Sequence, residues 1–140
     1  MAGAWGATTF FRRGPHVPPP QAVVWYERGA GAIREGAYFQ ASKALERALA
    51  IDDGFALARA RQAEAYAEMG LTDRAREELL RAMALLPDRS ALTAADSDYV
   101  DAVAATLGRD FPTAIAKYSH IAAAARGADA SAAYVDLGRA

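Results

Sequence analysis

Moved forward by 34 positions, residues 22–55 of this chain fall on residues 56–89 with small and apolar side chains superimposed. Gly29 meets Ala63, Gly36 meets Gly70, Ala41 meets Ala75, Leu45 meets Leu79 and Ala48 meets Ala82. Within each copy the apolar residues recur at i, i+4 and i+7, the spacing of one helix face. A lone helical pair cannot bury such a face and stacks on a copy of itself. The repeat therefore predicts an all-α fold, a helix-turn-helix solenoid of about three repeats plus the opening helix of a further one.

Helix-breaking residues between the periodic segments set the boundaries. A first helix runs from Ala22 through Trp25, Tyr26, Ala30 and Ile33 and stops near Gly36, which tolerates a left-handed backbone. A second spans Tyr38 to Ile51 and is broken by Asp52-Asp53-Gly54. The plan recurs over 55–69, Gly70 and 73–85, with Thr72 expected as N-cap and Pro87 as the stop. Glu77 and Arg81 form a favourable i, i+4 pair on that fourth helix. Beyond Pro87 the register slips by five residues, which predicts a longer loop from 88 to about 95. A helix over 94–107 follows, then Gly108, then a helix capped by Asp110 with Pro112 in its first turn. Ala114, Tyr118 and Ile121 form its inner stripe, and Asp129 is a candidate cap for a last helix. The chain thus divides into a linker, 1–21, and a repeat domain, 22–140, with units 22–55, 56–89, 95–128 and a partial 131–140.

Residues 1–11 (MAGAWGATTFF) are mostly small or apolar and lead into Arg12-Arg13, Gly14, Pro15 and Pro18-Pro19-Pro20. The prolines exclude helix and predict an extended linker. The apolar run is shorter than the roughly 20 residues that span a bilayer, and it lacks the basic-then-apolar order of a signal peptide. It reads either as an irregular start or as the tail of a membrane helix whose upstream part precedes this sequence, with Arg12-Arg13 as a flanking anchor. The first reading leads to a cytoplasmic protein, the second to a membrane-tethered one. The 16 Lys and Arg against 17 Asp and Glu leave a net charge of -1, so no basic field exists to hold a nucleic acid. With no cysteine there is neither a disulfide framework nor a thiolate metal site, which suits a reducing compartment.

Catalytic chemistry is sparse. His16 lies among prolines and His120 on a helix beside Tyr118 and Ile121, and no serine stands in a nucleophile-elbow setting. Asp96, Asp98 and Asp101 are not followed by the glycine and closing Glu of a calcium loop, and read as acids at a helix N-terminus. A small-ligand or metal sensor built on those three is the rival reading. Gly29, Gly31 and Gly36 are spread along helix and turn and form no phosphate loop. Arg59, Arg61, Arg74, Arg76 and Arg81 interleave with Glu64, Glu68, Asp73, Glu77 and Glu78, which predicts a solvated, mutually neutralised face. No enzyme activity, cofactor or metal is expected.

These residues resemble the tetratricopeptide repeat (TPR) family, whose pattern is Trp-x2-Leu-Gly-x2-Tyr, then Ala-x3-Phe, then Pro. Trp25-x2-Arg28-Gly29 with Ala41-x3-Leu45 and Ala48 is one match; Ala63-x2-Tyr66 with Gly70, Ala75-x3-Leu79, Ala82 and Pro87 is a second. Tyr134-x2-Leu137-Gly138 opens a last unit, while 95–128 matches through Ala102, Ala114 and Tyr118. Arg28 and Gln62 stand where Leu is usual, Ala32 where Tyr is, and Asp53 where Pro is. The resemblance implies a non-catalytic scaffold that binds a protein or peptide in a concave groove lined by the first helix of each pair. By that correspondence the groove presents Tyr26, Ala30, Ile33 and Arg34, then Arg61, Glu64 and Glu68, and continues with Tyr99 and Val103. The basic and asparagine set that clamps a C-terminal carboxylate in some members is absent, because Tyr26, Ala30, Leu57 and Ala60 occupy candidate positions. Residues 37–87, followed by an acidic opening helix and the Gly108-x-x-Phe111 turn, are also similar in style to TPR arrays on bacterial serine/threonine kinases and winged-helix regulators. An unfinished last repeat suggests self-association, a homodimer through residues 131–140, as the alternative role.

Overall fold

The computed structural model describes residues 15–125 together with Val135 and Gly138. Among them are six α-helices and no strand: α1 (Pro20–Arg34), α2 (Tyr38–Ile51), α3 (Ala56–Glu68), α4 (Thr72–Ala84), α5 (Ala94–Leu107) and α6 (Phe111–Ala124). α1 packs on α2, α3 on α4 and α5 on α6; α2 meets α3, α4 meets α5, and α3 touches both α1 and α5. This is an all-α helical repeat of three antiparallel pairs set side by side. Apart from Val135 and Gly138, the partial unit at 131–140 lies outside the described residues, as do the cap at Asp129 and the apolar start of the chain.

Each pair closes with the same turn. Gly36 and Gly70 take φ of +75° and +74°, and the amides of Ala37 and Leu71 reach back to the carbonyls of Ala32 and Tyr66, both at 2.8 Å. That six-to-one bond with a left-handed residue before it is the Schellman ending. In the third pair Asp110 N–H meets the Ala105 carbonyl at 2.8 Å, and the left-handed residue is Arg109, at φ 61°, directly after Gly108. A non-glycine there costs about 1–2 kcal/mol.

Helix starts depart from expectation at two places. Pro20 opens α1 rather than ending the linker, since proline at the first helical position loses no intrahelical bond. Thr72 lies inside α4, whose N-cap is Leu71 with no side-chain bond. Asp110 does cap α6, accepting from Thr113 N–H at 3.3 Å, and Thr93 caps α5 by accepting from Asp96 N–H at 3.1 Å.

The small residues are where helices approach. Ala41, Leu45, Ala48, Ala75, Ala82 and Ala114 are fully buried. A Cβ on Gly29 would sit 2.5 Å from Leu45 Cγ, so α1 and α2 meet at a separation only glycine permits. Ile121, expected on the inner stripe of α6, is half-buried and Ala122 is buried in its stead. Two core clusters share α3: Ala58 and Ala65 face the first pair, and Ala60 and Ala63 face the third. Nine of its 13 residues are buried, so α3 is the centre of the array.

Candidate functional site on the inner helices

The first helices of the three pairs contact one another in series, and their side chains meet in a buried polar network. Arg61 on α3 donates to Glu64 Oε2 at 3.1 Å, one turn along the same helix. Tyr99 on α5 donates its hydroxyl to the same oxygen at 2.6 Å. The Arg61 guanidinium carbon lies 4.0 Å from the Tyr99 ring centroid, a cation–π contact, and Arg61 also acts electrostatically on the Tyr26 hydroxyl of α1. The Tyr26 ring packs 4.9 Å from that of Phe55 at 40°. One cation and one carboxylate thus join three helical pairs.

Burial keeps both phenols protonated. The Tyr99 hydroxyl is pushed well above its ordinary value of 10.0, first by desolvation, with Arg61 pulling it down and Glu64 raising it. Tyr26 is raised for the same leading reason, against the pull of Arg61. Both are therefore neutral near pH 7, and Tyr99 is a donor to the Glu64 carboxylate.

The groove expected to present nine residues to a ligand is largely filled by its own side chains. Ala30, Ile33 and Val103 are buried in apolar surroundings, and Arg61, Glu64 and Tyr99 are buried in the network. Tyr26 and Arg34 are half-buried, and Glu68 is exposed. An array with a helical pair on each side of α3 desolvates the polar residues of its central helix, and these survive burial by pairing. The ligand-accessible part of the set is Tyr26, Arg34 and Glu68.

The arginine-rich face is corrected in the same way. Arg59 is buried and donates to Glu78 on α4 at 2.8 Å, to the Asp53 carbonyl at 3.2 Å and to the Asp53 carboxylate, pinning α3 to the preceding turn. Arg74, Arg76 and Arg81 are exposed, and Arg81 pairs with Glu77 as the spacing predicts. Gln62, also on α3, is 2% exposed, and neither amide atom has a hydrogen-bond partner among the described residues.

The acidic cluster is engaged by basic side chains. Asp98 accepts from Lys117 at 2.8 Å and contacts His120 at 3.3 Å, both on α6; Asp101 meets Lys117 at 3.2 Å and pairs with Arg89 of the α4–α5 loop. Asp96 accepts from the Thr93 hydroxyl at 2.8 Å. Among the described residues no three His, Cys, Asp or Glu side chains converge on a point that could hold a metal. His16 bonds Asp52 at 2.7 Å and rests against Gly54, laying the proline segment over the α2–α3 turn. Between that segment, the turn and the stretch from Ala84 to Leu92 lies a cleft of about 790 Å³, walled chiefly by Pro15, Pro18, Phe55, Leu57, Leu86 and Leu92. No described helix is long and apolar enough to cross a membrane.

The spacing of Arg61 and Glu64 and the 34-residue register do mark the network residues. What the pattern does not carry is their mutual pairing, the orphaned amide of Gln62, or the roles of Lys117 and Arg89 as partners of the acids. No protein-family model matches the chain, and no curated protein is similar to it.

Proposed function

We propose that the chain is a non-catalytic, TPR-like interaction scaffold that holds a protein or peptide segment along its inner helices. The observation that carries this reading is the series contact of α1, α3 and α5, which sets their side chains on one shared surface stiffened by the Tyr26–Arg61–Glu64–Tyr99 network. A rigid face binds at lower entropic cost than one that must be ordered first. Tyr26, Arg34 and Glu68 are the side chains that meet the partner. The similarity of style to arrays on bacterial kinases and regulators supports a place in a larger cytoplasmic signalling protein. A sensor built on Asp96, Asp98 and Asp101 is disfavoured, because Lys117 and Arg89 already neutralise two of those acids.

A random peptide library selected on the purified chain tests this. Selected peptides should lose binding to the Arg34→Glu, Glu68→Arg double variant while its circular dichroism is unchanged. Equal binding by the variant would remove the inner face from the proposal.

A further inference from the structure

At matching positions of the repeat, the first helical pair leaves charge that the other two neutralise. Trp25 of α1 is half-buried, and two guanidinium groups stand over it: Arg28 at 4.7 Å and Arg47 of α2 at 4.5 Å from the ring centroid. Both arginines are exposed, and neither forms an ion pair with a described residue. The 34-residue register places Arg59 and Arg81 at the positions of Trp25 and Arg47 in the second pair, where Glu78 bonds both. Glu78 has Ala44 as its counterpart in the first pair, so the carboxylate is missing there. In the third pair Asp98 holds the position of Trp25 and is answered by Lys117 and His120. The first pair alone sets two like charges around one aromatic ring, an arrangement an anion relieves.

We propose that Trp25, Arg28 and Arg47 form a docking site for an acidic peptide segment of a partner protein, separate from the inner face. Successive helical residues turn by about 100°, so Trp25 and Arg28 lie on roughly the opposite side of α1 from Ala30 and Arg34. The carboxylates of the segment bridge Arg28 and Arg47 over the indole. Phe39, 61% exposed beneath Lys43, lies about 12 Å before Arg47 along α2 and about 80° round it, beside the path an apolar neighbour of those carboxylates would take. Residues 1–14 contain no acidic side chain and cannot supply the anion from within the chain's own start. Two cations on a chain of net charge -1 match a short acidic peptide and fall well below the phosphate contacts a nucleic acid requires.

Trp25 itself reports the test. In a Trp5→Phe background it is the remaining tryptophan, and its fluorescence is followed while a short blocked peptide with two adjacent glutamates flanked by leucines is added. Saturable quenching or a spectral shift is expected, with no response to the glutamine twin or to a lysine version. Arg28→Gln and Arg47→Gln should each weaken binding about tenfold, as for a lost charged hydrogen bond, with helicity unchanged. The Arg34→Glu, Glu68→Arg variant should bind as the parent does, which separates this site from the inner face. An equal response to the glutamine twin, or no saturable response in the millimolar range, overturns the proposal. So does stronger binding of single-stranded RNA or of phosphatidylserine vesicles, which would reassign the surface.

Discussion

Tyr99 and Glu64, 35 positions apart in the chain, are joined by a 2.6 Å hydrogen bond that crosses from the third helical pair to the second. Because the carboxylate is buried and also holds Arg61, the bond lies within an interlock of pairs rather than on a solvated surface. Interfaces between neighbouring repeats supply much of the stability of such arrays.

Tyr99→Phe should destabilise the chain by about 1–3 kcal/mol, the cost of a buried acceptor losing a donor. Glu64→Leu should cost more, about 3–5 kcal/mol, because it takes a carboxylate from a buried guanidinium. Urea unfolding followed by circular dichroism measures both. Losses under about 0.5 kcal/mol, the range of surface changes, would show that these side chains are solvated.

Gln62→Leu should act in the opposite direction. The buried amide of Gln62 has no hydrogen-bond partner among the described residues, and an apolar side chain of similar size removes its desolvation penalty, a gain of about 1 kcal/mol or more. A fall in melting temperature would mean that the amide is bonded in solution.

At Gly29 two effects compete. Alanine is the better helix former by about 1 kcal/mol, yet its Cβ would meet Leu45 Cγ at 2.5 Å, and Leu45 is fully buried with little room to move. Overpacking costs about 1–3 kcal/mol, so Gly29→Ala should be destabilising in net. Combining it with Leu45→Val should recover part of that loss, and chemical unfolding of the four chains in the cycle reads the coupling.

The α5–α6 contact should carry a pH signature. Hydrogen bonding to Lys117 leads the effects that hold Asp98 below its ordinary 3.8, and the bond to Asp98 leads those that raise Lys117 above 10.5. The Asp98 contribution is present above pH 3.8 and is lost as pH falls through its lowered value; the Lys117 contribution is present below pH 10.5 and is lost as pH rises through its raised value. Stability plotted against pH should therefore fall at both ends, and Lys117→Met should flatten both limbs. An unchanged profile in that variant would place the dependence on other groups.

The sequence by itself determined where the helices lie and how they pair. The i, i+4, i+7 stripes and the small residues at Ala41, Ala48, Ala75 and Ala82 are local, and so is the choice of Gly36 and Gly70 for left-handed turns. Tertiary structure decided the fate of the polar residues between those stripes. Arg59 and Arg61 belong by spacing to a charged face and Arg81 to the same one, yet α3 is covered from both sides and α4 from fewer, so two of the three are buried and one is exposed. The partners that make burial tolerable, Tyr26 and Tyr99 for Arg61 and Lys117 for Asp98, come from other helices or other repeats. Helical periodicity states which side of a helix a residue occupies, and only the packing of neighbouring pairs states what covers that side.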